Sequence, residues 1–175
     1  MIIKATTKFL LRISCLCIMV AMISGCATST IYIVRHAEKD STPKNDPPLT
    51  AEGMKRANDL AALLKDKHIA AVYSTNTLRT LNTAKPTADE FQLAVLTYDS
   101  ISQLPVLIPF QKNSNALIVG HSNTILEIAT EFGVHPTITI GDNDFDNLLI
   151  VKRTHGIFGN SVHLTETTYG RVSPE

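Results

Sequence analysis

Ile31-Tyr32-Ile33-Val34-Arg35-His36-Ala37-Glu38 is the stretch on which the reading of this chain turns. Four consecutive apolar, mostly β-branched residues read as a strand buried on both faces. Arg35 and His36 follow at the point where that strand must end, so a cation and an imidazole are presented at one edge of a sheet.

The same arrangement recurs along the chain. Ile69-Ala70-Ala71-Val72-Tyr73 reads as a second strand and Ala94 to Thr97 as a third, leading into Tyr98-Asp99. Ala116-Leu117-Ile118-Val119 makes a fourth, followed by the turn Gly120-His121-Ser122-Asn123. Helical patterns lie between the strands. Thr50 caps one whose apolar side is Met54, Ala57, Leu60, Ala61 and Leu64, with Lys65, Asp66, Lys67 and His68 at its end. The turn Ser74-Thr75-Asn76-Thr77 opens a second, running to about Phe91, in which Pro86 should cause a kink or a break. A third runs from Thr124 to Phe132 and is closed by Gly133. Turn formers fill the loop from Asp40 to Pro48.

After Gly141 the pattern changes to two strands with no helix between them, Leu148 to Lys152 and Ser161 to Thr168, joined across Gly156 and Gly159. Strand-helix alternation followed by such a pair predicts an α/β three-layer sandwich. Its sheet is mostly parallel with helices on both faces, and it ends in an antiparallel edge.

Composition agrees with one compact domain. The chain has 175 residues, 44% hydrophobic and 18% charged, with 16 Lys+Arg against 16 Asp+Glu. That excludes a collagen-like, repeat or disordered chain and leaves no electrostatic footprint for nucleic acid.

The balance is uneven, because the first 26 residues hold Lys4, Lys8 and Arg12 and no acid. A basic start, an apolar stretch from Leu10 to Ile23 and a small-residue exit form the three-part pattern of a secretory signal peptide. The apolar part is shorter than the roughly 20 residues of a bilayer-spanning helix. Ile23-Ser24-Gly25-Cys26 resembles the lipobox of bacterial lipoproteins, in which the cysteine is acylated and becomes the new N-terminus. The expected organisation is a signal peptide over 1–25, a lipidated tether over 26–30 and one domain over 31–175.

The expected location is the cell envelope, facing the periplasm from the outer membrane in a Gram-negative host, with the lipid on Cys26 as the membrane contact. Cys15 and Cys17 leave with the signal, so no thiol remains for disulfides, thiol catalysis or Cys-ligated zinc.

In an open α/β sheet, ligands bind beyond the carboxyl ends of the strands. That rule gathers Arg35, His36 and Glu38 after strand one, Ser74, Thr75 and Arg79 after strand two, Asp99 after strand three, and His121 and Ser122 after strand four. Two guanidiniums clamp phosphate oxygens well, and the helix starts after Asn76 and Asn123 add backbone donors. A neutral imidazole is a nucleophile, a second imidazole can stabilise charge, and a carboxylic acid can protonate the leaving alcohol. His68, His135, His155 and His163 belong to no such pattern and read as structural. Asp142-Asn143-Asp144-Phe145-Asp146 has the alternate acids of a calcium loop but not its glycine and glutamate, and reads as a solvated turn.

Arg35-His36-Ala37-Glu38 resembles the Arg-His-Gly-Glu motif of the histidine phosphatase superfamily, in its phosphoglycerate mutase-like branch. Leu49-Thr50-Ala51-Glu52-Gly53 is similar to its Leu-Thr-x-x-Gly segment, Ser74 to Ala84 to its second-arginine motif, and Val119-Gly120-His121-Ser122 to its second-histidine motif.

The resemblance spans residues 31 to 125 in order. It implies that His36 is transiently phosphorylated, that Arg35, Arg79 and His121, with Ser122, hold the phosphate, and that no cofactor or metal is needed. Ala37 replaces the usual glycine, which negative φ would tolerate. Asp99 is the expected acid and Glu38 the alternative.

The partner expected is a phosphorylated small molecule or protein, in a shallow pocket poorly suited to mutase chemistry. Two other readings remain open at this point: a phosphate-binding lipoprotein without effective acid catalysis, and a His/Asp metal hydrolase.

Overall fold

A computed structural model describes residues 27–112, 114–156 and 159–173. The expected signal peptide and Cys26 lie outside the described residues. Six strands form one sheet in the order β3-β2-β4-β1-β5-β6. They are β1 (Ala27–Arg35), β2 (Ile69–Ser74), β3 (Val95–Thr97), β4 (Asn115–Gly120), β5 (Asn147–Gly156) and β6 (Gly159–Thr168). β1 pairs in parallel with β4, as β2 does with β4 and β3. The pairings β1-β5 and β5-β6 are antiparallel. The architecture is the α/β sandwich with a parallel-dominated sheet and an antiparallel edge that the alternation predicts.

Helices α1 (Ala51–Leu64) and α2 (Leu78–Glu90) cover one face. Leu60, Leu64 and Ala84 meet Tyr32, Val34, Val72, Leu117 and Val119 there. The short α3 (Leu104–Leu107) and α4 (Ile125–Glu131) cover the other, where Leu104, Ile125 and Ile128 meet Ile31, Ile33, Ile118 and Leu149. Alternate residues of β1 thus feed two cores, which is why its sequence is continuously apolar. Among the described residues, no helix is long and apolar enough to cross a membrane.

Several boundaries differ from expectation. Residues 27–30, expected as part of a tether, already pair with 152–155 of β5, so β1 starts four residues earlier than its apolar run. Helix α2 runs through Pro86 without a break. The buried side of α1 is Gly53, Arg56, Ala57, Leu60 and Leu64. Met54 is exposed instead. Thr50 caps α1 as predicted, its Oγ1 accepting from the Gly53 amide at 3.1 Å.

Candidate active site

Parallel pairing of β1 and β4 brings the two histidines together. The register sets Arg35 opposite Gly120, and the His36 amide continues the ladder to the Gly120 carbonyl at 2.9 Å. His36 and His121 are therefore neighbours at the same level of the sheet. Their ring centroids are 5.5 Å apart in an edge-on arrangement. β2 flanks β4 on its other side, with Ser74 opposite Val119, so Thr75 arrives beside His121. Thr75 Oγ1 and His121 Nε2 share a hydrogen bond of 2.9 Å.

His36 is only 4% exposed. Its Nδ1 lies 2.8 Å from the Ala37 carbonyl oxygen. A carbonyl can only accept, so Nδ1 carries the proton and Nε2 keeps its lone pair. Burial, aided by the charges of Arg35, His121 and Arg79, outweighs that carbonyl contact and lowers the His36 pKa to about 4. His121 is lowered too, by burial first and then by Arg79 and Arg35. Both imidazoles are neutral at pH 7.

Ala37 is fully buried and does not take positive φ, as its replacement of glycine requires. Its amide donates to Thr83 Oγ1 of α2 at 2.9 Å, pinning the loop after β1.

Arg35 is 6% exposed. Its Nη1 donates to the Gly141 carbonyl at 2.8 Å and the Asp144 carbonyl at 3.0 Å, and its guanidinium carbon stands 4.3 Å from the centre of the Phe145 ring. Phe145 also reaches the His36 ring at 6.1 Å. Of the run 142–146, expected as a solvated turn, Asp142 and Asn143 are an exposed turn, but Phe145 packs on the arginine-histidine pair and Asp146 is buried. Its acids hold no metal-binding geometry: among the described residues, no group of three or more His, Cys, Asp or Glu could hold an ion.

Arg79 comes in from the first turn of α2 and lies 3.7 Å from Asp46. Among the described residues, neither Arg35 Nε nor Arg79 Nε has a hydrogen-bond partner, although both atoms are buried. Two buried donors without acceptors, flanking neutral imidazoles, fit an oxyanion.

The remaining candidates are placed differently. Asp99 is exposed just beyond β3. Three strand spacings separate β3 from β1 in the sheet order, roughly 14 Å, so the structure does not bring Asp99 to His36. Glu38, the alternative acid, is committed elsewhere. Its carboxylate takes Arg56 Nη2 at 2.7 Å and Nε at 3.0 Å. Burial, the largest single influence, would raise the Glu38 pKa, but the Arg56 hydrogen bonds, a backbone amide and the charges of Arg56 and Arg171 together outweigh it and the net shift is downward. An ionised carboxylate held by a guanidinium does not donate a proton, so Glu38 is set aside as the acid.

Ser122 follows His121 half-buried in the turn. The start of α2 is not free for an anion as expected, because the Leu78 amide already donates to Asp46 at 2.9 Å. His68, His135, His155 and His163 are all exposed and outside the cluster. Thr75, gathered with Ser74 and Arg79 by the strand-end rule, does reach His121, whereas Arg56 and Phe145 were not singled out by sequence as site residues. Only Arg56 left a usable signal, an arginine on the buried side of a helix at i+3 from Gly53.

Residues 31–103 match the sequence model of the histidine phosphatase superfamily (branch 1). No curated protein matches the chain. Solved structures do share its fold. "Mycobacterial hydrolase 2" is 12% identical, with a TM-score of 0.62, over 84% of this chain and 94% of its own. The protein histidine phosphatase SixA complexed with tungstate is 17% identical, with a TM-score of 0.57, over 79% and 96%. A mycobacterial glucosyl-3-phosphoglycerate phosphatase with inorganic phosphate is 12% identical, with a TM-score of 0.55, over 78% and 95%. The model match bears out the resemblance to the histidine phosphatase superfamily over residues 31–103, and the solved structures bear out the fold.

Proposed function

We propose that this protein is a phosphatase working through a phosphohistidine on His36. The observation that carries the proposal is the Nδ1 contact of His36 with the Ala37 carbonyl, which fixes the tautomer with a free Nε2 lone pair. In this reading Nε2 attacks phosphorus in line while the bond to the leaving group breaks. Arg35, Arg79 and His121 hold the phosphoryl oxygens as charge moves onto them. Water then cleaves the N–P bond and releases inorganic phosphate.

With Asp99 exposed beyond β3 and Glu38 ionised against Arg56, neither of the two expected carboxyls is placed to protonate the leaving group. That favours substrates whose departing group leaves without a proton from the enzyme: an aryl phosphate, or a phosphoramidate such as a phosphohistidine side chain, whose imidazole solvent can protonate first. The SixA neighbour, described as a protein histidine phosphatase, supports the same direction.

The test is rapid-quench trapping with labelled nitrophenyl phosphate. Wild-type protein should yield an acid-labile phosphoenzyme, His36→Ala none, and His121→Ala a turnover lowered on the order of 10²-fold. Normal labelling of His36→Ala would refute the mechanism.

The same reading places the enzyme in the cell envelope, acylated on Cys26 and facing the periplasm in a Gram-negative host. It rests on the sequence Ile23-Ser24-Gly25-Cys26 after an apolar segment. Mass spectrometry of the mature N-terminal peptide checks it, and a mature chain starting elsewhere without acyl groups would refute it.

A further inference from the structure

We infer that the segment 169–173, clamped by Arg56, is a positioning element of the phosphate pocket that latches loop 141–146 onto Arg35. The inference rests on the reading of Arg35 as a phosphate ligand and goes beyond it, because it assigns a role to residues far from the sequence motifs.

Arg56 is 3% exposed and uses its guanidinium in two directions. Nε and Nη2 grip the carboxylate of Glu38, two residues after His36. Nη1 turns the other way and donates to the Arg171 carbonyl at 2.7 Å and the Tyr169 carbonyl at 3.2 Å. Two carbonyls two residues apart can converge on one donor only if the chain turns sharply between them. Gly170, at φ +66, makes that turn in the left-handed region glycine favours.

From this turn the segment reaches the loop by three bonds. The Tyr169 amide donates to the Asp146 carbonyl at 2.9 Å. The Ser173 amide donates to Asp146 Oδ2 at 3.0 Å. The Phe145 amide donates to Ser173 Oγ at 2.8 Å. Phe145 lies on the Arg35 guanidinium, and the Gly141 and Asp144 carbonyls of the same loop fix Arg35 Nη1.

The chain of contacts is therefore closed. It runs from His36 through Glu38 and Arg56 to 169–173, on to Phe145 and back to Arg35. Both ends of the network are adjacent residues of the same strand end, so loosening any link frees the guanidinium to rotate about its long side chain. Holding that rotamer before the anion arrives lowers the ordering cost of binding.

The experiment is calorimetric titration of the full chain with inorganic phosphate, alongside denaturant unfolding of each variant. Ser173→Ala removes the acceptor of the Phe145 amide and the hydroxyl contact with Asp146, both links of the latch, and should weaken phosphate about 3- to 10-fold, the scale of one ordinary hydrogen bond. Ser173→Thr keeps the hydroxyl and should bind within about twofold of wild type, since the bond that matters is retained. Arg56→Lys keeps the charge but cannot grip both partners, and should lose at least as much as Ser173→Ala. Lys85→Ala, at an exposed pair with Asp89 on α2, serves as the control.

Folded Ser173→Ala and Arg56→Lys proteins with wild-type phosphate affinity would overturn the latch, leaving the network a prop of the fold. Failure of Ser173→Thr to restore affinity would also overturn it. A wild-type chain that takes up no inorganic phosphate would remove the pocket reading, and the latch with it.

Discussion

Acidification should unfold this protein in part through His36. The imidazole is neutral in the fold with a pKa of about 4, held down first by burial, while in the unfolded chain it titrates near 6.5. Above pH 6.5 neither state is protonated and His36 leaves stability unaffected. As pH falls from 6.5 to 4 the unfolded chain gains a proton that the folded one refuses, and stability is lost across that window. The full loss is about 3 kcal/mol at 1.36 kcal/mol per pH unit, and about 2 kcal/mol is already gone at pH 5.

Urea unfolding of wild type and His36→Gln between pH 7.5 and 4.5 isolates the contribution, because other acid-sensitive groups are common to both. The two stability curves should keep a constant separation above pH 7. Below it the wild type should fall further, by roughly 2 kcal/mol at pH 5. Parallel curves, or a His36 ring proton titrating near 6.5 by NMR, would refute the reasoning. Inorganic phosphate should move that titration upward, since an anion beside the ring favours imidazolium.

Three further outcomes are expected. Gly53→Ala should cost about 1–3 kcal/mol in chemical denaturation, because a Cβ there would run into the Glu38 carbonyl. Thr75→Val removes the partner of His121 Nε2 and should lower kcat several-fold, up to about tenfold, with KM nearly unchanged in steady-state assays. Glu38→Gln should lower stability by about 2 kcal/mol by weakening a charge-assisted bond to Arg56, while slowing alkyl and nitrophenyl phosphates in equal proportion. A loss confined to alkyl esters would reinstate Glu38 as the acid.

What the sequence carried about this site was mostly local. An apolar run that ends in Arg35-His36, and another in Gly120-His121, states where two buried strands stop, and parallel pairing does the rest. Thr50 and Gly53 were legible for the same reason, since a cap and its recipient sit three residues apart. The parts that escaped depend on distant pairings. Arg56 meets partners 113 and 115 residues further along the chain, and no local period announces them. The acids at 142, 144 and 146 read as solvent-facing because they are charged, which holds for the exposed Asp142, yet the loop docks through its carbonyls and Phe145. Three of the residues 27–30, Thr28, Ser29 and Thr30, carry polar side chains, and only β5 alongside makes the segment strand.

Asp99 shows the limit of the strand-end rule. The rule places a residue at the correct edge of the sheet but not at the correct strand spacing, and β3 is the outermost strand on that side. A carboxyl there is wet, while Glu38, two residues after His36, is neutralised by the clamp that shapes the loop after β1. The geometry therefore separates two tasks that one acidic residue could have joined. In the proposed mechanism, anion binding and nucleophilic attack fall to buried, preorganised groups, and neither Asp99 nor Glu38 is placed to deliver a proton. A site divided in this way gains most on substrates that carry a good leaving group and least on simple alkyl esters, because only the latter need a proton as the P–O bond breaks.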